Sequence, residues 1–253
     1  MPIELAGARR FGADDYGASF VAGQRARYER GLYESRVRWT QRYLAGLALE
    51  RRRWLDAGVG IGVFTRELAQ RGAEVIGIDF APAVLSAARA AVPSAALLRA
   101  ELAHLPLRTA SCDGALALDV LEHLMEPRLL LAELERVLRP GAPLLLSTDN
   151  ARTPSRWRGL RRVLHAVRRR GARQRELERV RREFPAPSNH VRLYAPSEVL
   201  QLLADAGFRV RRWDSFPRQA SAWVARALES PLATALLRGW RGGELLVLAE
   251  RGS

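Results

Sequence analysis

The stretch Trp54-Leu55-Asp56-Ala57-Gly58-Val59-Gly60-Ile61-Gly62 runs from apolar residues into three alternate glycines. Such a turn between a strand and a helix lets a ligand come close to the backbone. The spacing is G-x-G-x-G, and position 63 is valine, where the dinucleotide fingerprint G-x-G-x-x-G/A needs a small residue. That argues against NAD or FAD. Asp79 ends the next apolar run 21 residues after Gly58, where a carboxylate can accept hydrogen bonds from both hydroxyls of a ribose. Together these residues imply a nucleoside held without a pyrophosphate. A tight turn with no ligand would also use glycines, so the turn alone leaves both readings open.

The elements that must position these residues follow from the apolar pattern. Short buried strands are expected at Arg53 to Ala57, Glu74 to Phe80, Ala95 to Ala100, Asp113 to Asp119 and Ala142 to Ser147. Helices alternate with them at Val63 to Arg71, Pro82 to Ala91 and Pro127 to Leu138, each with a proline or glycine start or stop signal. Alternation of this kind implies a parallel sheet covered on both faces. Ahead of it, residues 23 to 50 place Tyr28, Leu32, Val37, Tyr43, Leu44 and Leu47 at helical spacing, which predicts one or two amphipathic helices. After it, Arg152 to Glu183 reads as an inserted helical segment with an apolar stripe that includes Trp157, Leu160 and Leu164. A helix at Pro196 to Ala206, a strand at Phe208 to Asp214, a helical stretch at Ser221 to Trp240 and a last strand at Glu244 to Glu250 complete the chain.

The two leading motifs resemble the cofactor site of class I S-adenosylmethionine-dependent methyltransferases, especially the group shared with ubiquinone-biosynthesis methyltransferases. The resemblance continues through Glu101, where that family usually has aspartate near the adenine amino group, and through Leu105-Pro106. It includes Leu121-Glu122-His123 after the fourth strand and Arg136-Val137-Leu138-Arg139-Pro140-Gly141 before the fifth. It is close over about residues 50 to 150 and looser over His190 to Arg212. Glu101 for aspartate and Cys112 for phenylalanine depart from the pattern but leave Asp56, Gly58, Gly60, Gly62 and Asp79 untouched.

The resemblance implies an α/β Rossmann-like fold, with seven mostly parallel strands ordered 3-2-1-4-5-7-6, strand 7 antiparallel, and helices on both faces. It implies S-adenosyl-L-methionine as cofactor: Gly58, Gly60 and Gly62 near its methionine part, Asp79 on the ribose, Phe80 and Leu102 beside the adenine, Glu101 at the adenine amino group, and the Leu118 carbonyl toward the cofactor amine. It also implies that His123 stands in the pocket wall. Asp119, Glu122 and His123 are similar to the metal-binding set of some ubiquinone O-methyltransferases, although Leu-Glu-His also occurs in metal-free relatives, and no metal is assigned.

Methyl transfer is an in-line displacement, so positioning in a water-poor pocket matters most and a general base is optional. His190 and His123 are the candidate catalytic residues, His190 because it lies at the expected mouth of the strand ends, where an imidazole could take a proton from a hydroxyl or amine. A loop histidine bonded to backbone, or a structural one at a helix start, would look the same. His104 and His165 read as surface or packing residues.

Composition bounds the rest. The 253 residues carry a formal net charge of +14, and residues 151 to 187 hold 13 arginines against three glutamates, so ten of those net charges lie in one segment. All 41 basic residues are arginine, which suggests a compositional bias as much as a selected binding surface. The segment suits a lid, a contact with anionic lipid headgroups or a phosphate backbone, or a solvated face. One cysteine excludes an intrachain disulfide, and no signal peptide or membrane-spanning run is visible, so a cytoplasmic protein is expected.

The expectation is therefore one domain over 1–253: an N-terminal helical cap (1–50), a cofactor-binding half (51–150), the arginine-rich insertion as a lid (151–187) and the end of the sheet (188–253). The expected activity is methyl transfer to an oxygen, nitrogen or carbon nucleophile of a small-molecule or lipid-like substrate, with peripheral contact at an anionic membrane as one role for the insertion. Nucleic acid is not expected as substrate, since no RNA-binding module or catalytic motif of nucleic-acid methyltransferases is present. The competing readings are a non-catalytic binding module on the same fold, or action on RNA or at a membrane surface through the insertion.

Overall fold

A computed structural model of the chain describes residues 3–4, 12–151, 190–216 and 243–252. The expected insertion and the helical stretch at Ser221 to Trp240 lie outside the described residues.

The strands are β1 (Ile3–Glu4), β2 (Arg53–Ala57), β3 (Glu74–Asp79), β4 (Ala96–Arg99), β5 (Gly114–Leu118), β6 (Pro143–Asp149), β7 (Arg192–Leu193), β8 (Phe208–Phe216) and β9 (Glu244–Arg251). The helices are α1 (Ala18–Glu29), α2 (Glu34–Leu44), α3 (Val63–Gln70), α4 (Pro82–Ala91), α5 (Pro127–Val137) and α6 (Pro196–Asp205). Seven strands form one sheet in the order β4-β3-β2-β5-β6-β9-β8. Pairing is parallel from β4 to β6, and β9 runs against both its neighbours. Counted along the chain within that sheet, the order is the expected 3-2-1-4-5-7-6.

Burial on both faces explains why the central strands read as unbroken apolar runs. Leu55, Ala115, Leu144, Leu146 and Val247 point to one side and pack with Leu130, Leu131 and Leu134 of α5 and Val199 and Leu203 of α6. Their neighbours Trp54, Leu116, Leu145 and Leu246 point to the other and pack with Trp39 and Tyr43 of α2 and Phe64 and Leu68 of α3. This period of two places every second side chain in a different core.

Three expectations are corrected. The third strand, expected to be buried at Ala95 to Ala100, is an edge strand over Ala96–Arg99 with Leu98 37% exposed, because among the described strands only β3 pairs with it. Glu122 and His123 do not start the helix after the fourth strand; Leu121–His123 form a separate single 3-10 turn and α5 begins later, at Pro127. The fifth strand runs two residues past Ser147, to Asp149, still buried. A short pairing that the pattern does not announce joins β1 to β7, with Ile3 opposite Leu193 and Glu4 opposite Arg192.

Candidate functional site

Parallel strands deliver their carboxyl ends to one edge of the sheet, and the crevice where strand order reverses lies beside β2. There Gly58, Gly60 and Gly62 adopt φ of +83°, +53° and +83°, which side-chain-bearing residues rarely take. The N–H groups of Gly58 and Val59 both donate to the Ile78 carbonyl, at 2.8 and 3.1 Å, pinning the turn to the end of β3. A Cβ at Gly58 would sit 2.5 Å from a methyl of Val120, whereas one at Gly60 would meet nothing nearer than 4.0 Å. Gly60 thus presents bare backbone to open space.

That space is a cavity of about 940 Å³, near the upper end of the roughly 300–1,000 Å³ usual for small-molecule sites. Of the nine residues expected to meet a cofactor, Gly58, Gly60, Asp79, Phe80, Glu101, Leu102 and Leu118 line it. Asp56 and Gly62 do not. Asp56 lies behind the turn, buried, accepting a 2.6 Å hydrogen bond from Thr65 Oγ1. Burial pushes its carboxyl up to about 7, against the Thr65 hydrogen bond and with a smaller push from Asp79. The Gly62 α-carbon faces Ala88, whose Cα would lie 3.1 Å from an added Cβ, so this glycine lets α3 close on α4.

Asp79 accepts from the Gly60 N–H at 3.3 Å and the Ala81 N–H at 3.1 Å. Burial raises its pKa, opposed by the backbone N–H groups of Ala81, Gly60 and Phe80 that favour the charged form. A carboxylate has about four lone-pair sites, so these contacts leave room for a hydroxyl donor. The edge of Tyr16 packs on Phe80, with ring centroids 5.2 Å apart, and α1 and α2 add Phe20, Tyr28 and Arg36 to the wall. An open glycine turn, an acceptor carboxylate and an aromatic platform together fit a nucleoside.

The cavity lining also includes a polar group. Glu122 is fully buried; Thr148 Oγ1 donates to its Oε2 at 2.7 Å, and Oε1 has no hydrogen-bond partner among the described residues. Burial, then the neighbouring Asp119, pushes this carboxyl up to about 7, against His190 and the Thr148 hydrogen bond. His123 and His190 both line the cavity, rings edge to face at 4.9 Å. His190 Nδ1 is 2.9 Å from Asp149 Oδ2. His104 also reaches the lining but is exposed, and His165 lies outside the described residues.

The set Asp119, Glu122 and His123 is not assembled as the resemblance implied. Asp119, a non-glycine residue at φ +55°, turns its carboxylate to the buried guanidinium of Arg36, which also donates through Nε to Glu244 at 2.7 Å. Burial works against the Arg36 charge, and Asp119 and Glu244 outweigh it and hold its pKa up. In place of Asp119, His190 joins Glu122 and His123, with one donor atom from each inside a 4.8 Å span. One carboxylate and two imidazoles can serve a divalent ion. Asp149 takes one ring nitrogen of His190 and Thr148 one oxygen of Glu122, which leaves the other nitrogen and the other oxygen for a ligand or a proton.

Sequence reasoning missed Arg36, Thr148 and Asp149. Nothing separates Arg36 from its many fellow arginines in the sequence. Thr148 and Asp149 could have been suspected as polar residues directly following an apolar strand at the edge where ligands bind.

The fold and this cavity define a doubly wound α/β domain built to hold a nucleoside-bearing cofactor beside an acid–base cluster. Residues 55–146 match the methyltransferase domain family. The chain is 32% identical over 156 residues to a probable S-adenosylmethionine-dependent methyltransferase of Mycolicibacterium smegmatis, covering 62% of this chain and 51% of that protein. It is 37% identical over 110 residues to the ubiquinone biosynthesis O-methyltransferase of Hahella chejuensis, covering 41% and 45%. The chain thus spans about half the length of these curated relatives. Among solved structures it is similar in fold to magnesium protoporphyrin IX methyltransferase from Synechocystis, which holds S-adenosylhomocysteine, with a TM-score of 0.64, 18% identity, and coverage of 95% of this chain and 98% of that one. Over residues 55–146 the chain is thus similar to S-adenosylmethionine-dependent methyltransferases.

Proposed function

We propose that this protein transfers a methyl group from S-adenosylmethionine to an oxygen, nitrogen or carbon nucleophile of a small-molecule or lipid-like acceptor. The observation that carries this reading is one cavity lined both by Gly58, Gly60 and Asp79 and by Glu122, His123 and His190. Bound S-adenosylmethionine supplies a methyl group activated by a sulfonium. In this reading Asp79 takes the ribose hydroxyls, the bare backbone at Gly58 and Gly60 admits the methionine part, and Phe80 and Leu102 flank the adenine. Glu101 meets the adenine amino group, and the Leu118 carbonyl faces the cofactor amine. Leu124, Met125 and Leu130 give the acceptor end an apolar wall, which suits an acceptor with an apolar body and keeps water from the reacting atoms.

The test supplies cofactor labelled in its methyl group with three separate acceptor pools: small organic molecules, anionic lipid vesicles and RNA. Label in the first or second is the expected result. Label in RNA, or in none of the three although the cofactor binds, would contradict the assignment.

A further inference from the structure

At the acceptor end, one contact fixes a proton. Asp149 Oδ2 lies 2.9 Å from His190 Nδ1, so a neutral imidazole held there carries its proton on Nδ1 and leaves Nε2 bare. The contact is braced from both sides. Asp149 ends β6, paired with Glu244 of β9. The residue after His190 donates its N–H to the Glu122 carbonyl at 2.7 Å, and the Ala151 N–H donates to the Tyr194 carbonyl at 2.9 Å. His190 therefore stands between two tied segments and lines the cavity that reaches Gly58 and Asp79. The other titratable groups facing it are Glu122 and His123, both on the turn after β5, with Asp119 behind Glu122.

We propose that Asp149 is the positioning residue for His190, that His190 Nε2 takes a proton from the methyl acceptor, and that the acceptor atom is therefore a hydroxyl oxygen. This rests on the methyltransferase reading above. A neutral amine attacks through its own lone pair and sheds its proton afterwards, and a carboxylate has no proton to give. Among these heteroatom nucleophiles a hydroxyl gains most from a base in place at the moment of attack, and a product methylated at carbon instead of oxygen overturns the assignment. The acceptor O–H bond breaks and its proton passes to Nε2. The oxygen pair forms the bond to the methyl carbon, and the carbon–sulfur bond breaks with its electrons going to sulfur, leaving S-adenosylhomocysteine. Asp149 stabilises the imidazolium, which then releases its proton to water.

The test uses the full chain, with S-adenosylhomocysteine binding measured for every variant. A series of para-substituted phenols serves as probe, since substituents vary hydroxyl acidity with little change of shape at the oxygen. The wild-type protein is expected to methylate phenols. Asp149→Asn should lower kcat by about 10²- to 10⁴-fold while KM and S-adenosylhomocysteine affinity stay within about twofold. Asp149→Glu should recover part of the loss and restore the acid limb of the pH–rate profile. In the wild type, ¹⁵N NMR of the histidines should show His190 protonated at Nδ1 at neutral pH, a preference lost in Asp149→Asn. The NMR result stands even where a variant folds poorly. A wild-type protein that binds S-adenosylhomocysteine but methylates no phenol overturns the hydroxyl assignment. So does unchanged kcat and pH profile in Asp149→Asn, a wild-type His190 protonated at Nε2, or activity that a chelator abolishes and a divalent ion restores. Failure of the wild-type protein to bind S-adenosylhomocysteine strikes instead at the underlying reading.

Discussion

Asp56 is a carboxylic acid enclosed beneath the glycine turn, and its position makes stability depend on pH. Its carboxyl titrates near 3.8 when exposed and near 7 in the folded chain. Below about pH 4 both folded and unfolded states are protonated and folding carries no ionisation penalty. As pH rises from there to 7 the unfolded chain ionises first, so stability falls, then levels off once the folded group ionises too. Asp56→Asn should therefore lose less stability than the wild type between pH 4 and pH 7, the difference reaching on the order of 3 kcal/mol. Thermal unfolding across that range measures it, and parallel curves for the two proteins would contradict the burial argument. Glu122, also raised to about 7 by burial, adds a loss of the same sign in the same window. Changing both to their amides should flatten the curve further.

At the scale of the element, the three glycines of one turn have separable duties. Gly60 faces the cavity with nothing within contact distance of an added Cβ, whereas Gly62 meets Ala88 of α4. Gly60→Ala should weaken cofactor binding more than it weakens the fold, and Gly62→Ala should do the reverse, lowering the melting temperature by several degrees through its positive φ and the contact with α4. Calorimetric titration and thermal unfolding of the two variants separate these effects; the same ratio of losses in both would sink the distinction. The distinction was not legible in the sequence, where G-x-G-x-G looks uniform. What was legible is the sheet: strands buried on both faces leave runs such as Leu144 to Leu146, and prolines mark the starts of α4, α5 and α6. The edge strand β4 was harder to judge, because Leu97 and Leu98 look as buried in the sequence as any central pair. The acceptor end was half legible. Glu122, His123 and His190 stood out by type, but Asp149 was hidden by being a polar residue inside a strand. The β1–β7 pairing, two residues on each side, is too short to impose any period.

On the scale of the whole molecule, Arg36 ties the N-terminal helices to the sheet. Its buried side chain reaches from α2 to Asp119 after β5 and Glu244 at the start of β9, and it lines the cavity as well. Arg36→Met keeps much of the stem but removes the guanidinium that pairs with both carboxylates. Removing one partner from a buried ion pair typically costs about 3–5 kcal/mol, which denaturant unfolding would register as a lowered midpoint. Adding Glu244→Gln should recover part of it; no recovery would mean that Arg36 acts by packing alone. Among the described residues no helix is long and apolar enough to cross a membrane. In the proposed function, Asp79 and the glycine turn seat S-adenosylmethionine. The most direct test is calorimetric titration of the wild-type protein and of Asp79→Ala with S-adenosylmethionine and S-adenosylhomocysteine. The account predicts micromolar binding that falls by roughly 10- to 100-fold in the variant, the loss expected for hydrogen bonds to a charged group. Equal affinity in the two proteins, or no binding by the wild type, would contradict it.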